Sequence, residues 1–93
     1  MNDEFKCKLM TLDLNLLRVF CTVCQYSSIT LASEQLGLTQ SSVSNAINRL
    51  KVALECELFI RVGRGIEPTA TGLHIFNSIQ PMLDSMEQTL MGI

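Results

Sequence analysis

Apolar residues recur at helical spacing over the first part of the chain. From Asp13, a plausible N-cap, to about Tyr26, they return every three or four residues and form one helix face. A second, shorter segment with this spacing runs to Leu36, and the hydroxyl of Thr30 is predicted to cap its start. Gly37 then suits the left-handed backbone that ends many helices. The pattern therefore predicts two helices separated by a break.

A third helix follows after a short turn. Thr39 is its predicted N-cap, and its apolar residues lie four, three and four positions apart, namely Val43, Ile47, Leu50 and Leu54. Two helices joined by a turn of about three residues containing glycine form a helix-turn-helix arrangement. The small Ala32 is the position where these two helices can approach closely.

The pattern changes after Leu54. Bulky and β-branched residues over 58–62 are too few for a helix, and Gly63-Arg64-Gly65 supplies a turn with two residues that tolerate positive φ. A short return strand at 66–67 completes a two-stranded wing, which must pack on the helices to be stable.

A long final helix is predicted from about Ala70 to Leu90, capped by Thr69. Gly72 weakens its first turn, and Pro81 is expected to kink or split it. Its apolar residues cover more of the helix surface than a single stripe, so one side can cover the domain while the other contacts a partner. These residues are Leu73, Ile75, Phe76, Ile79, Met82, Leu83, Met86 and Leu90.

Composition fits one small folded domain. The chain has 93 residues, of which 47% are hydrophobic and 17% charged, which excludes a disordered or low-complexity protein. No apolar run reaches the roughly 18–20 residues of a membrane span, and no secretion signal is recognisable. The net charge of −2, taken alone, argues against nucleic acid as the partner.

No pattern of reactive residues indicates an enzyme. Cys21 and Cys24 form a C-x-x-C inside the first helix, while Cys7 and Cys56 are isolated, so a second pair of zinc ligands is missing. We interpret Cys21 and Cys24 as small buried side chains on one helix face. His74 has no constellation of Ser, Cys or carboxylate around it, and there is no Gly-rich phosphate loop. The sequence predicts no catalytic, metal or cofactor site.

The polar face of the third helix indicates a different chemistry. Opposite the apolar stripe and beside it are short amide, hydroxyl and basic side chains: Gln40, Ser41, Ser42, Ser44, Asn45, Asn48 and Arg49. The third helix contains no acidic residue before Glu55, although the helix dipole favours acids in the first turn of a helix. Asn and Gln can bind an adenine edge through two hydrogen bonds, and Ser can bind either base. A merely solvated face is the alternative, but it would favour better helix formers such as Glu, Lys or Ala.

Basic and acidic residues are concentrated in different parts of the chain. Between residues 38 and 66, the acids Glu55 and Glu57 are outnumbered by four basic residues, Arg49, Lys51, Arg61 and Arg64. The remaining acids lie mostly in the lead-in, at the start of the first helix and in the last helix. The third helix and the wing are therefore locally basic within an acidic chain.

These motifs carry a resemblance to a known family. They are LNLLRVF at 14–20, SITLASEQLGLTQSSVSNAINRL at 28–50, LFIR at 58–61, RGIEPT at 64–69 and Gly72. In this order they resemble the N-terminal DNA-binding domain of LysR-type transcriptional regulators over about residues 12–90. The stretch from Lys51 to Ala70 is most similar to a LeuO-like branch.

The resemblance implies a mainly α fold and a function. A lead-in (1–11) precedes a winged helix-turn-helix of three helices and a two-stranded β wing (12–68), and a linker helix (69–93) dimerises. It implies a cytoplasmic, bacterial regulator that binds double-stranded DNA at an inverted repeat as a homodimer, with helix 40–54 in the major groove and the wing near the minor groove. The family's base- and phosphate-contacting positions fall on Thr30, Thr39, Gln40, Ser41, Ser42, Ser44, Asn45, Asn48, Arg49 and Arg64. The expected dimer contacts are Leu73, Phe76, Ile79, Leu83, Met86 and Leu90.

Some positions depart from the family pattern. Lys51 and Glu55 stand where Glu and Gly are usual, so the exit of the third helix toward the wing can differ. Asn45 stands where Arg or Lys is common, which makes a guanine contact there less expected, and Ser33 replaces a usual Ala. The family's larger effector-binding domain and its small-molecule ligand have no counterpart, so we expect a fragment of a longer regulator.

A second class of function stays open. A helical protein-interaction module would dock its apolar last helix on another protein, and the acidic net charge slightly favours this alternative.

Overall fold

A computed structural model describes residues 13–93, which form four helices and one two-stranded sheet. The lead-in 1–11 lies outside the described residues. The elements are α1 (Leu14–Tyr26), α2 (Ile29–Leu36), α3 (Gln40–Leu54), β1 (Phe59–Val62), β2 (Gly65–Pro68) and α4 (Ala70–Met91). The predicted mainly helical architecture, with three helices, a wing and a long final helix, is confirmed.

Side-chain caps define where the helices begin. Asp13, Thr39 and Thr69 each accept a hydrogen bond from a backbone N–H of the first turn, as predicted. The cap predicted for α2 is wrong, because Ser28 and not Thr30 occupies that position: the Ser28 hydroxyl accepts from the Leu31 N–H at 3.1 Å. A helix that begins after Ser28 includes Ile29 in its packed face, whereas a cap at Thr30 would exclude it.

Two helix ends use left-handed backbone in different ways. Gly37 ends α2 with φ +70°, as predicted for the turn of the helix-turn-helix. Glu55 ends α3 with φ +55°, and its N–H bonds to the carbonyls of Lys51 and Val52. The exit toward the wing therefore has the left-handed geometry that a glycine usually supplies, even though the residue is Glu.

Helix α1 is the centre of the core and contacts all three other helices. One side of α1 packs with Leu50 of α3 and Leu58 before the wing, and α4 covers this cluster. Its other side contributes Val23 to a second cluster, in which Ala32 of α2 meets Val43 of α3 as the sequence predicts. Since Val43 and Leu50 are completely buried, α3 is fixed along one face and leaves its opposite face open.

The wing is an antiparallel hairpin in which Phe59 pairs with Pro68 and Val62 with Gly65. Of the two glycines predicted to tolerate positive φ, only Gly63 adopts it, at +60°, because Gly65 already belongs to β2. The ring of Phe59 lies 5.4 Å from that of Phe20 in α1, which attaches the wing to the core.

Helix α4 corrects two expectations. It runs as one segment through Pro81, so of the predicted kink or split at this residue the split does not occur. Ile79 and Leu83 pack against the α1 cluster on either side of the proline. Gly72 is buried against the backbone before the wing, where a Cβ would collide with the Leu58 carbonyl oxygen. Glycine at this position permits close packing rather than only weakening the turn.

The C-x-x-C pair is structural, as the sequence suggests. Cys21 and Cys24 are free thiols buried on the core side of α1. Burial, with a smaller contribution from Asp84, raises the pKa of Cys21 from 9.0 to about 11. Burial, with a smaller contribution from Cys21, raises the pKa of Cys24 to about 12. Both thiols are therefore protonated, and hence poor nucleophiles, at neutral pH.

Replacing Glu55 by Gly should raise the free energy of unfolding by about 0.5–1 kcal/mol. Left-handed backbone costs an L residue roughly 1–2 kcal/mol, which exceeds the entropy that glycine adds to the unfolded chain. Urea unfolding at neutral pH measures the change. The control is Glu34→Gly inside α2, which should lower stability by about 1 kcal/mol. A Glu55→Gly chain as destabilised as this control would contradict the assignment.

The buried thiols should make stability fall at alkaline pH. Above pH 9 the unfolded chain releases these protons while the folded chain holds them to about pH 11 and 12. Their contribution is therefore complete below pH 9 and is lost as pH rises, at up to about 1.4 kcal/mol per pH unit for each thiol. Urea unfolding between pH 8 and 11 should show a steeper decline for the wild type than for Cys21→Ala/Cys24→Ala. Equal slopes would contradict this cause.

Candidate nucleic-acid interface

The open face of α3 carries the polar residues that the sequence singles out. They are all exposed: Gln40, Ser41, Ser42, Ser44, Asn45, Asn48 and Arg49. No acid lies in the first turn. Val52 is the one large apolar residue of this face, at 69% exposure. The structure thus brings the predicted α3 positions together on one accessible surface.

Two hydroxyls organise the start of α3. The Thr39 hydroxyl oxygen accepts from the Ser42 N–H at 3.0 Å, and the Thr39 hydroxyl donates to the Ser42 hydroxyl oxygen at 2.9 Å. Thr39 therefore uses both its donor and an acceptor site within the helix cap, whereas the Ser42 hydroxyl can still donate outward. This arrangement makes Thr39 mainly a residue that holds the first turn in place.

The polar face of α3 is divided between two directions. Ser44 and Asn48 line a groove between α3 and the wing, and Phe59 forms part of its opposite wall. Asn45 and Arg49 lie one residue further round the helix, about 100° away on the outer side. Lys51 also lines the groove, but its ammonium is 3.0 Å from the Glu57 carboxylate. That ion pair offsets the positive charge which the sequence assigned to this side.

A second cavity joins the start of α2 to the wing. It has a volume of about 200 Å³ and is lined by Thr30, Arg64 and Arg61, together with Ser27, Ser28, Ile29, Gly65 and Ile66. The structure therefore brings the predicted Thr30 and Arg64 together, although they are far apart in sequence. Arg61 belongs to the same surface and was missing from the predicted positions. Strand alternation could have identified Arg61, because it lies two residues after Phe59 and therefore on the same face of β1.

The predicted dimer residues of α4 fall into two groups. Phe76, Ile79 and Leu83 are partly buried against the α1 cluster of their own chain. Leu73, Met86 and Leu90 are exposed. Exposed Met82, which the sequence did not assign to the dimer, lies on the same side of α4 as Ile75.

An apolar groove lies beside this helix. It has a volume of about 430 Å³ between α1, the end of α3 and α4, and its lining is Leu14, Leu17, Leu54, His74, Ile75, Ser78 and Ile79. His74, for which the sequence found no catalytic partners, is an exposed residue of this groove. The exposed Met82, Met86 and Leu90 follow the groove on the same side of α4. We call the groove and these three residues the α4 strip.

Residues 13–93 contain neither a metal-ligand cluster nor a helix suited to span a membrane. No group of three His, Cys, Asp or Glu side chains in this range could hold a metal ion. In the same range, no helix is both long and apolar enough to span a membrane.

Three helices, a wing and an acid-free polar helix face define a winged helix-turn-helix protein. Residues 14–73 match the family model described as bacterial regulatory helix-turn-helix protein, lysR family. The matched region is more than half of the chain, so the chain belongs to the lysR family.

Individual relatives agree with this assignment. The HTH-type transcriptional regulator LeuO of Escherichia coli (strain K12) is 47% identical over 87 residues, which cover 94% of this chain and 28% of LeuO. LeuO, which the sequence analysis singled out, is thus among the similar regulators. The relatives found by sequence carry the names of transcriptional regulators and not of enzymes. The chain spans about a quarter of the length of these relatives.

Solved structures share the fold. The probable transcriptional regulator PA0477 from Pseudomonas aeruginosa superposes with a TM-score of 0.83 at 32% identity, over 89% of this chain and 28% of that protein. A BenM_DBD/catB site 1 DNA complex superposes with a TM-score of 0.79 at 26% identity, covering 85% of this chain and 88% of that one.

Proposed function

We propose that this chain is a sequence-specific, double-stranded DNA-binding domain of a bacterial transcription regulator acting in the cytoplasm. Helix α3 enters the major groove and the wing lies near the minor groove. The observation that carries the proposal is the open face of α3, which is free of acids and held in place by completely buried Val43 and Leu50. The relative named BenM_DBD, of similar fold, was solved with DNA and supports the same assignment.

The geometry divides the work between bases and phosphates. Asn45 on the outer side of α3, Ser44 and Asn48 on its wing side, and Gln40 in its first turn supply the short donors and acceptors that read base edges. Arg49, Arg61 and Arg64 supply positive charge for phosphates, with Thr30, Ser41 and Ser42 near the first turns of α2 and α3 as further donors. Thr39 orders the first turn of α3 for this contact.

The α4 strip is the proposed dimer surface. In a two-fold dimer with antiparallel α4 helices, Met86 and Leu90 of each copy can cover the apolar groove of the other. This arrangement uses the exposed Met86 and Leu90 of the predicted set, adds Met82, and gives Phe76 and Leu83 an intrachain role. Leu73, although exposed, lies on the opposite side of α4 from Met82 and is therefore outside this surface. The two winged helix-turn-helix domains, or heads, are related by the two-fold axis of the dimer and present two α3 helices to an inverted repeat.

The central experiment is selection of bound duplexes from a random DNA pool, followed by titrations at several salt concentrations. A DNA-binding domain should recover an inverted repeat and show affinity that falls steeply as salt rises. Because the chain has a net charge of −2, its non-specific affinity should be weak. If no duplex binds at low salt, the protein-interaction alternative takes its place, with the α4 strip as the docking surface.

Asn45→Ala should weaken binding by about 1–3 kcal/mol for each half-site that the dimer contacts, and only on the selected site. The loss of a paired donor and acceptor affects one base step and leaves phosphate contacts unchanged. Asn77→Ala, on an exposed part of α4, is the matched control and should bind as the wild type does. Equal losses on selected and unrelated duplexes would show that Asn45 does not read a base.

Arg61→Ala and Arg64→Ala should each weaken binding to all sequences. Each removes one phosphate contact per subunit, hence two per dimer, and should reduce the salt slope of the dimer complex by about 1.8. Arg18→Ala is the control for the salt slope: this exposed arginine lies on α1 and pairs with Glu87 at 3.2 Å, outside the wing cavity, so its loss should leave the slope unchanged. Fluorescence titrations between low and physiological salt give the slopes. An unchanged slope for Arg61→Ala would remove Arg61 from the interface.

Met86→Glu should convert the dimer to monomer, because a charge placed in an apolar contact loses its hydration without gaining a partner. Gln88→Glu adds the same charge at an exposed position on the other side of α4 and should remain dimeric. Sedimentation velocity of both chains measures the change. A Met86→Glu chain as dimeric as this control would place the interface elsewhere.

A further inference from the structure

The start of α4 is tied to the loop that precedes the wing. The Thr69 N–H donates to the Leu58 carbonyl at 3.0 Å, and the Thr69 hydroxyl donates to the Glu57 carbonyl at 2.8 Å. The same hydroxyl oxygen accepts from the Gly72 N–H at 3.0 Å and so caps α4. Through Thr69, the first turn of the helix is joined to the backbone of residues 57–58.

Gly72 brings the two backbones into direct contact. A Cβ at this position would collide with the Leu58 carbonyl oxygen and lie 3.3 Å from the carbonyl carbon. The Leu58 side chain is itself completely buried in the core cluster with Phe20 and Leu50, so the loop has little freedom to move away. Any side chain at Gly72 must therefore displace the first turn of α4.

A second attachment lies further along the same helix. Ile79 and Leu83 pack against the α1 cluster, and the Glu87 carboxylate is 3.2 Å from the Arg18 guanidinium. Because α4 is attached to the rest of the domain at two separated points, its direction relative to the domain is fixed. The contact at Gly72 is the closer and more rigid of the two, because it involves backbone on both sides.

We infer that Gly72 sets the angle at which α4 leaves the winged helix-turn-helix, and thereby the spacing between half-sites that a dimer accepts. This inference rests on the proposed dimer, in which the α4 helices join the two heads. Gly72 and Leu83 are about 16 Å apart along the helix. Moving the first turn by about 1 Å therefore tilts each head by roughly 3–4° against α4. The two-fold axis doubles this change to roughly 6–8° between the two winged helix-turn-helix domains of the dimer.

Gly72 is thus a positioning residue that touches no DNA. Half-site spacing is a readout that a merely structural role would not move, since loss of stability lowers affinity for all spacings alike. The matched control is Gly92→Ala at the end of α4, where a Cβ meets only ordinary contacts of 3.5 Å and 3.6 Å.

The test repeats the selection from a random duplex pool with the wild type, Gly72→Ala and Gly92→Ala, and compares half-site sequence with half-site spacing. The Gly72→Ala chain should select the same half-site. Its affinity ratio between two spacings one base pair apart should differ from that of the wild type by about fivefold or more, because misaligned heads must deform the DNA. The Gly92→Ala chain should match the wild type. An unchanged ratio for a folded Gly72→Ala chain would overturn the inference.

A second pair of variants covers the case in which Gly72→Ala fails to fold. Thr69→Val keeps the shape of the side chain but removes the hydroxyl that joins Glu57 to Gly72, while Thr69→Ser retains it. The Thr69→Val chain should accept a wider range of spacings than the Thr69→Ser chain, and equal ranges would overturn the inference. If the wild type itself selects no inverted repeat, the proposed function fails instead, so the two failures are distinguishable.

Discussion

The packing of α1 between α3 and α4 is the interaction on which the rest of the structure depends. A small domain buries a modest share of its surface, so one helix must serve several neighbours. Phe20 shows how this is achieved: it is completely buried, contacts the wing through Phe59 and shares a cluster with Leu50 of α3. The positions of the polar α3 face and of the wing relative to each other therefore follow from one apolar cluster.

The fold was largely predictable because its signals are local. Helical spacing located the four helices of residues 13–93. The caps at Asp13, Thr39 and Thr69 depend on a hydroxyl or carboxylate that accepts from an N–H two or three residues later. The cap of α2 was misassigned because Ser28 and Thr30 offer the same chemistry, and only the burial of Ile29 decides between them.

Features that depend on distant parts of the chain were not predictable in this way. The close contact at Gly72 requires the Leu58 carbonyl, and the association of Arg61 with Thr30 requires the wing to return toward α2. Within α4, the spacing of apolar residues does not reveal that Phe76 and Leu83 face their own core while Met86 and Leu90 extend beyond it. The roles of such residues become visible only when the packing of whole helices and strands is known.

The positions of the charged residues explain how a chain with a net charge of −2 can bind DNA. Glu57 offsets Lys51, whereas Arg61 and Arg64 line the cavity beside α2, and the acids Asp84 and Glu87 belong to α4. The central claim is that DNA meets α3 and the wing. Amide chemical shifts of the labelled chain, followed as a selected duplex is added, test it most directly. The account predicts that changes concentrate in residues 39–49 and 61–65. Changes confined to α4 would contradict it.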